Sequence, residues 1–125
     1  MSKALVVGSI GLDTVETPNG KVEMALGGSA SFASVSASYF TDVTLVGVIG
    51  DDFGDEHVKK YRDRGIDLSG LEHTPGKTFH WSGYYRREMN QAYTNTTELN
   101  VFADFKPKLT EEQRKAPYIF LANIH

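Results

Sequence analysis

A parallel α/β sheet flanked by helices, with a small β-rich excursion, is the fold class the sequence predicts, and three observations predict it. Residues 4–7, 43–49 and 118–122 are continuous β-branched and apolar runs, the pattern of strands covered on both faces. Two helical stretches follow the first two runs, the second over residues 53–64 and stopped by Gly65. Residues 78–98 then change texture to aromatics, threonines and polar residues, which favour strands. Strand, helix, strand, helix, excursion, short helix, strand is the order that lays helices on the faces of a parallel sheet.

Taken in order, the first run ends in the turn signal Gly8-Ser9. After Asp13 the chain becomes polar, and Pro18-Asn19-Gly20 between residues 14–16 and 21–26 predicts a hairpin. Gly27-Gly28-Ser29 opens a helix in which Ala30, Ala33, Ala37 and Phe40 share one face. Asp51-Asp52, after the second run, sit where helix N-caps belong. In the excursion, alternation places Phe79, Trp81 and Gly83 on one face, with a turn over residues 88–90. Pro107 and Thr110-Glu111-Glu112 open the short helix before the last run.

At 125 residues, 40% hydrophobic and 23% charged, the chain has the size and composition of one globular domain over residues 1–125. A net charge of −3 with scattered basic residues gives no nucleic-acid footprint. Cysteine is absent, so no disulfide or thiolate site is available, and a cytoplasmic location is expected. The apolar start is interrupted too early to act as a signal peptide or membrane span. His57, His73, His80 and His125 show no metal-ligand spacing, and neither a Walker A loop nor G-x-G-x-x-G is present. Asp52-Phe53-Gly54 spells the protein-kinase metal motif without its companion segments, and Asn95-Thr96-Thr97 is a sequon without a secretory signal.

Ligands of open α/β sheets bind at the carboxyl ends of the strands. Those ends are residues 8–13, Gly50-Asp51 and residues 123–125. The glycine pair lets backbone approach a ligand closely, and free N–H groups at the helix start can bond hydroxyls or anions. Asp13 can accept two hydrogen bonds from a diol.

In order and spacing, Val7-Gly8-Ser9-Ile10-Gly11-Leu12-Asp13, the hairpin, Gly27-Gly28-Ser29-Ala30-Ser31 and Val48-Ile49-Gly50-Asp51-Asp52 resemble the start of the ribokinase-like (PfkB) family of carbohydrate and nucleoside kinases. The resemblance covers essentially the whole chain. It implies that Asp13 binds substrate hydroxyls and that Gly27 and Gly28 lie beneath the substrate. Where the family has an asparagine after the glycines this chain has Ser31, a shorter hydroxyl that alters the expected contact. The excursion becomes a lid formed by about residues 14–26 and 75–103, in which Trp81 matches a substrate-contacting position and Asn100 falls where the chain returns from the lid. An aromatic side chain there stacks on a sugar face or a base.

The family transfers the γ-phosphoryl of ATP, with Mg²⁺, to a substrate hydroxyl. It does so with a Gly-Ala-Gly-Asp segment whose N–H groups neutralise charge and whose aspartate is the base. These 125 residues contain no such segment, Gly50-Asp51-Asp52 being the nearest string. The expectation is a ribokinase-like domain truncated after its third core strand, with no catalytic or metal-binding residue of its own. It would be the substrate-binding and lid portion of an ATP-dependent sugar or nucleoside kinase. The alternative is a non-catalytic sugar-binding or dimerisation module, and either allows a homodimer through the lid.

Overall fold

The computed structural model describes residues 3–124. The apolar runs form β1 (Ala4–Val7), β4 (Val43–Ile49) and β8 (Tyr118–Leu121), as expected. The hairpin is β2 (Gly11–Thr17) and β3 (Gly20–Gly27), turning over Pro18-Asn19, so that Asp13 lies on a strand. Helices α1 (Ser29–Ser38), α2 (Asp55–Asp63) and α3 (Glu111–Arg114) follow. The excursion is β6 (Phe79–Tyr85) and β7 (Ala92–Glu98), and a 3₁₀ segment, Asn100–Asp104, leads out of it.

Sequence reading passes over one strand, β5 (Asp67–His73). The core sheet has the order β5-β4-β1-β8, all parallel, so β8 is its fourth strand and not its third. As an edge strand, β5 exposes alternate residues and has no unbroken apolar run to announce it. β4, between β5 and β1, is buried at every position. The second sheet has the order β3-β2-β6-β7, with β2 and β6 parallel and the outer pairs antiparallel.

The main core gathers Val6, Ile10, Leu12, Ala30, Leu45, Phe53, Tyr61 and Ile66, and a smaller one Leu5, Val7 and Val46. Ile10 and Leu12 carry the core from the first sheet into the root of the second. Phe40 does not join the α1 face, because the helix stops at Ser38 and leaves Phe40 90% exposed. The buried positions of α1 are instead Ala30, Ser31 and Ser34. Ser31 Oγ lies 2.6 Å from Tyr61 Oη, a buried bond between α1 and α2. Burial pushes the Tyr61 phenol up to about 12, against the lowering effect of the Ser31 hydroxyl.

Asp51 and Asp52 are not helix caps, since α2 starts later, at Asp55, with Gly54 as its N-cap. Their carboxylates serve the entry to the second sheet. Asp51 accepts from the Gly76 N–H at 3.1 Å and faces His73 Nε2 at 2.8 Å, while Asp52 accepts from the Thr78 N–H at 2.7 Å. α3 opens after Thr110, as expected, and a capping box closes its start: Thr110 accepts from the Gln113 N–H at 3.1 Å, and Gln113 Oε1 accepts from the Thr110 N–H at 2.9 Å.

Candidate functional site

Three chain segments converge where β1 and β8 end and α1 begins. Gly28 enters α1 with φ of 94°, a conformation that L side chains rarely adopt, and a Cβ there would meet the backbone of residues 9–11. The helix start is not left open, contrary to the expectation of free N–H groups. The Ser29 N–H donates to Ser9 Oγ at 3.0 Å and the Ala30 N–H to the Ser9 carbonyl at 2.9 Å. The Asn123 N–H donates to Ser29 Oγ at 3.0 Å, and the Asn123 carbonyl accepts from the Ser9 N–H at 2.9 Å. Ser9, Ser29 and Asn123 thus form a polar floor that sequence reading did not assign. His125, named with this strand end, lies outside the described residues.

Asp13 stands beside this floor on β2. Its carboxylate lies directly over Gly27, where any Cβ would collide with it. Gly27 permits this close approach without an unusual φ, and a Cβ here would push the carboxylate aside. Burial pushes the Asp13 carboxyl above its ordinary range, and the nearby His80 pulls it back down. Half-buried and over bare backbone, the carboxylate suits short, charge-assisted hydrogen bonds to hydroxyl groups.

The second sheet brings Trp81 level with Asp13, its parallel partner across β2 and β6. Strand alternation therefore puts the indole and the carboxylate on one sheet face. The ring folds over Gly83, leaving no room for a side chain there, and its Nε1–H donates to Thr94 Oγ1 at 3.1 Å. Phe79, on the same face, covers Gly11 and packs against Phe102 at 5.3 Å between ring centroids.

Gly27 and Gly28 sit together with Asp13, but Ser31 and Asn100 do not join them as read from the sequence. Ser31 is 1% exposed and occupied by Tyr61. Asn100 has φ of 52° and donates from Nδ2 to the Thr78 carbonyl at 2.9 Å. Thr78, fully buried, also accepts from the Gly50 N–H through its hydroxyl at 2.9 Å. Asn100, Gly50 and Asp52 thus brace the entry to β6.

The element order, the sheet pairing and the glycine-floored carboxylate define a ribokinase-like (PfkB-type) α/β fold. Ribokinase from Cryptococcus neoformans var. grubii, solved in complex with ADP, superposes with a TM-score of 0.78 at 17% identity, covering 96% of this chain and 40% of that one. Burkholderia thailandensis nucleoside kinase in complex with inosine gives 0.67 at 14%, covering 79% and 37%. The Methanocaldococcus jannaschii nucleoside kinase, an archaeal member of the ribokinase family, gives 0.64 at 16%, covering 86% and 42%. In sequence, the chain is 34% identical over 89 residues to the cytidine kinase of Thermococcus kodakarensis, covering 70% of this chain. The chain spans 32% of that kinase's length. No family model matches the sequence. Among the described residues, no helix is long and apolar enough to cross a membrane.

Proposed function

We propose that this chain is the substrate-binding and lid portion of an ATP-dependent kinase acting on a hydroxyl of a sugar or nucleoside. The observation that carries the reading is the Asp13 carboxylate, held half-buried over Gly27 and level with Trp81. A polyol bound there would place two hydroxyls against the carboxylate, while Gly27 and Gly28 leave room below it. The indole face, across one strand spacing, would cover the sugar or base. The sheet of β2, β3, β6 and β7 acts as the lid, excluding water when it closes. The similarity to a cytidine kinase supports a nucleoside within this range of substrates.

ATP and Mg²⁺ enter this reading through the resemblance alone. Among the described residues no cluster of three or more His, Asp or Glu side chains is placed to hold a cation, so no residue of this chain is assigned to them. The general base and the phosphoryl-stabilising loop are likewise not assigned within the 125 residues, and binding without turnover is the expected behaviour of this chain.

Calorimetric titration of cytidine and D-ribose, alongside an ATP-dependent phosphorylation assay, tests both parts. Binding of at least one probe, its loss in Asp13→Ala, and no phosphate transfer are expected. Binding that survives Asp13→Ala contradicts the site, and turnover by the 125 residues contradicts the division of labour.

A further inference from the structure

We propose that His80 is a positioning residue for Asp13, acting through the Thr14 hydroxyl on the β-bulge that follows the carboxylate; this rests on the reading of Asp13 given above. The pairing of β2 with β3 slips between Asp13 and Val15, and Met24, opposite the slip, has φ of 53°. A bulge re-aims the side chains beside it and locally breaks the ladder, so its geometry depends on other bonds. Thr14 supplies them. Its Oγ1 accepts from the Met24 N–H at 3.3 Å and lies 2.9 Å from His80 Nε2.

The imidazole is braced in turn from β7, where Glu98 Oε2 lies 3.7 Å from His80 Nδ1. In the neutral imidazole a carboxylate at Nδ1 favours the proton on that nitrogen, leaving Nε2 to accept the Thr14 hydroxyl hydrogen, whereas the imidazolium, the form that lowers the Asp13 carboxyl, donates from Nε2 to the Thr14 oxygen. In either form the Thr14 oxygen keeps a lone pair for the Met24 N–H. One line of polar groups, Glu98, His80, Thr14 and Met24, therefore runs across all four strands at the bulge. The direction of the clamp matters as much as its bonds. His80 is level with Leu12, so it shares the Leu12 and Thr14 face of the sheet, whereas Asp13 points to the opposite face. The clamp grips β2 from behind and leaves the carboxylate open to a ligand.

Calorimetric titration of cytidine and D-ribose into Thr14→Val, Thr14→Ser, His80→Leu and the double variant Thr14→Val/His80→Leu tests the proposal. Thr14→Val and His80→Leu are each expected to weaken binding about tenfold, the double variant no further than either single, and Thr14→Ser to bind as the parent protein does. Parent-like binding by Thr14→Val, with binding abolished in Asp13→Ala, overturns the proposal and spares the site. Parent-like binding by Asp13→Ala overturns the site itself.

A readout without ligand is the titration of the Asp13 carboxyl carbon by NMR. Release of the bulge in Thr14→Val exposes the carboxylate to water and moves its midpoint down toward the ordinary range. A midpoint that does not move in folded Thr14→Val overturns the proposal even where neither probe binds.

Discussion

Burial holds the Asp13 carboxyl above the ordinary carboxylate range, His80 opposing it, so its ionised form is carried at a cost to the fold. A carboxyl whose pKa is higher in the folded than in the unfolded chain takes up its proton more readily when folded. The stability this contributes is complete below the unfolded value and is lost as pH rises through the folded one. At neutral pH the charge is therefore destabilising. Asp13→Asn is expected to raise the melting temperature at pH 7, with the gain disappearing below about pH 4, where the parent side chain is also neutral. Scanning calorimetry at the two pH values checks this, and a variant less stable than the parent at pH 7 contradicts it. The same substitution is expected to abolish polyol binding, so stability and binding move in opposite directions at one residue.

Between elements, the bond from Ser31 to Tyr61 ties α1 to α2 across the core. Tyr61→Phe leaves the Ser31 hydroxyl buried without that partner and is expected to cost about 1–3 kcal/mol in denaturant unfolding. Adding Ser31→Ala removes the stranded hydroxyl and should recover part of the loss; a double variant less stable than Tyr61→Phe would exclude this account. The pair also shows what a sequence conceals. β1, β4, β8 and the hairpin were legible because each signals itself within a few residues, through an apolar run or a turn. Asp13 and Gly27 were singled out through the resemblance, which rests on their order and spacing along the chain, although Asp13 lies within β2 and not at a strand end. Ser31 misled because its partner lies 30 residues away. Asn100 misled for the same reason, since its bond runs back to Thr78, 22 residues earlier. The two aspartates after β4 looked like caps because caps and loop anchors use the same side chains. β5 escaped notice because an edge strand needs no continuous apolar run.

Across the whole molecule, β8 is a bare edge of the core sheet. Tyr118, Ile119, Phe120 and Leu121 are 71%, 50%, 55% and 71% exposed, and Phe40 stands 90% exposed beside them along an apolar surface with Ala4, Val6, Ala33, Ala37 and Phe120. Parallel strands are ordinarily covered on both faces, and an uncovered apolar edge promotes association. Sedimentation of this chain is expected to show association that grows with concentration and that Phe120→Lys with Leu121→Lys reduces. Association unaffected by the pair would place the contact elsewhere. The polar floor has a different consequence, for the order in which the molecule assembles. Ser29 and Asn123 are joined across 94 positions of sequence. Closing a loop of that length costs about 4 kcal/mol of chain entropy by the logarithmic scaling, before any contact repays it. Local pieces such as the β2–β3 hairpin and α1 can form early, but contacts this distant in sequence are slow to make. The polar floor is thus a late product of folding, and a nascent chain lacks it until β8 has docked.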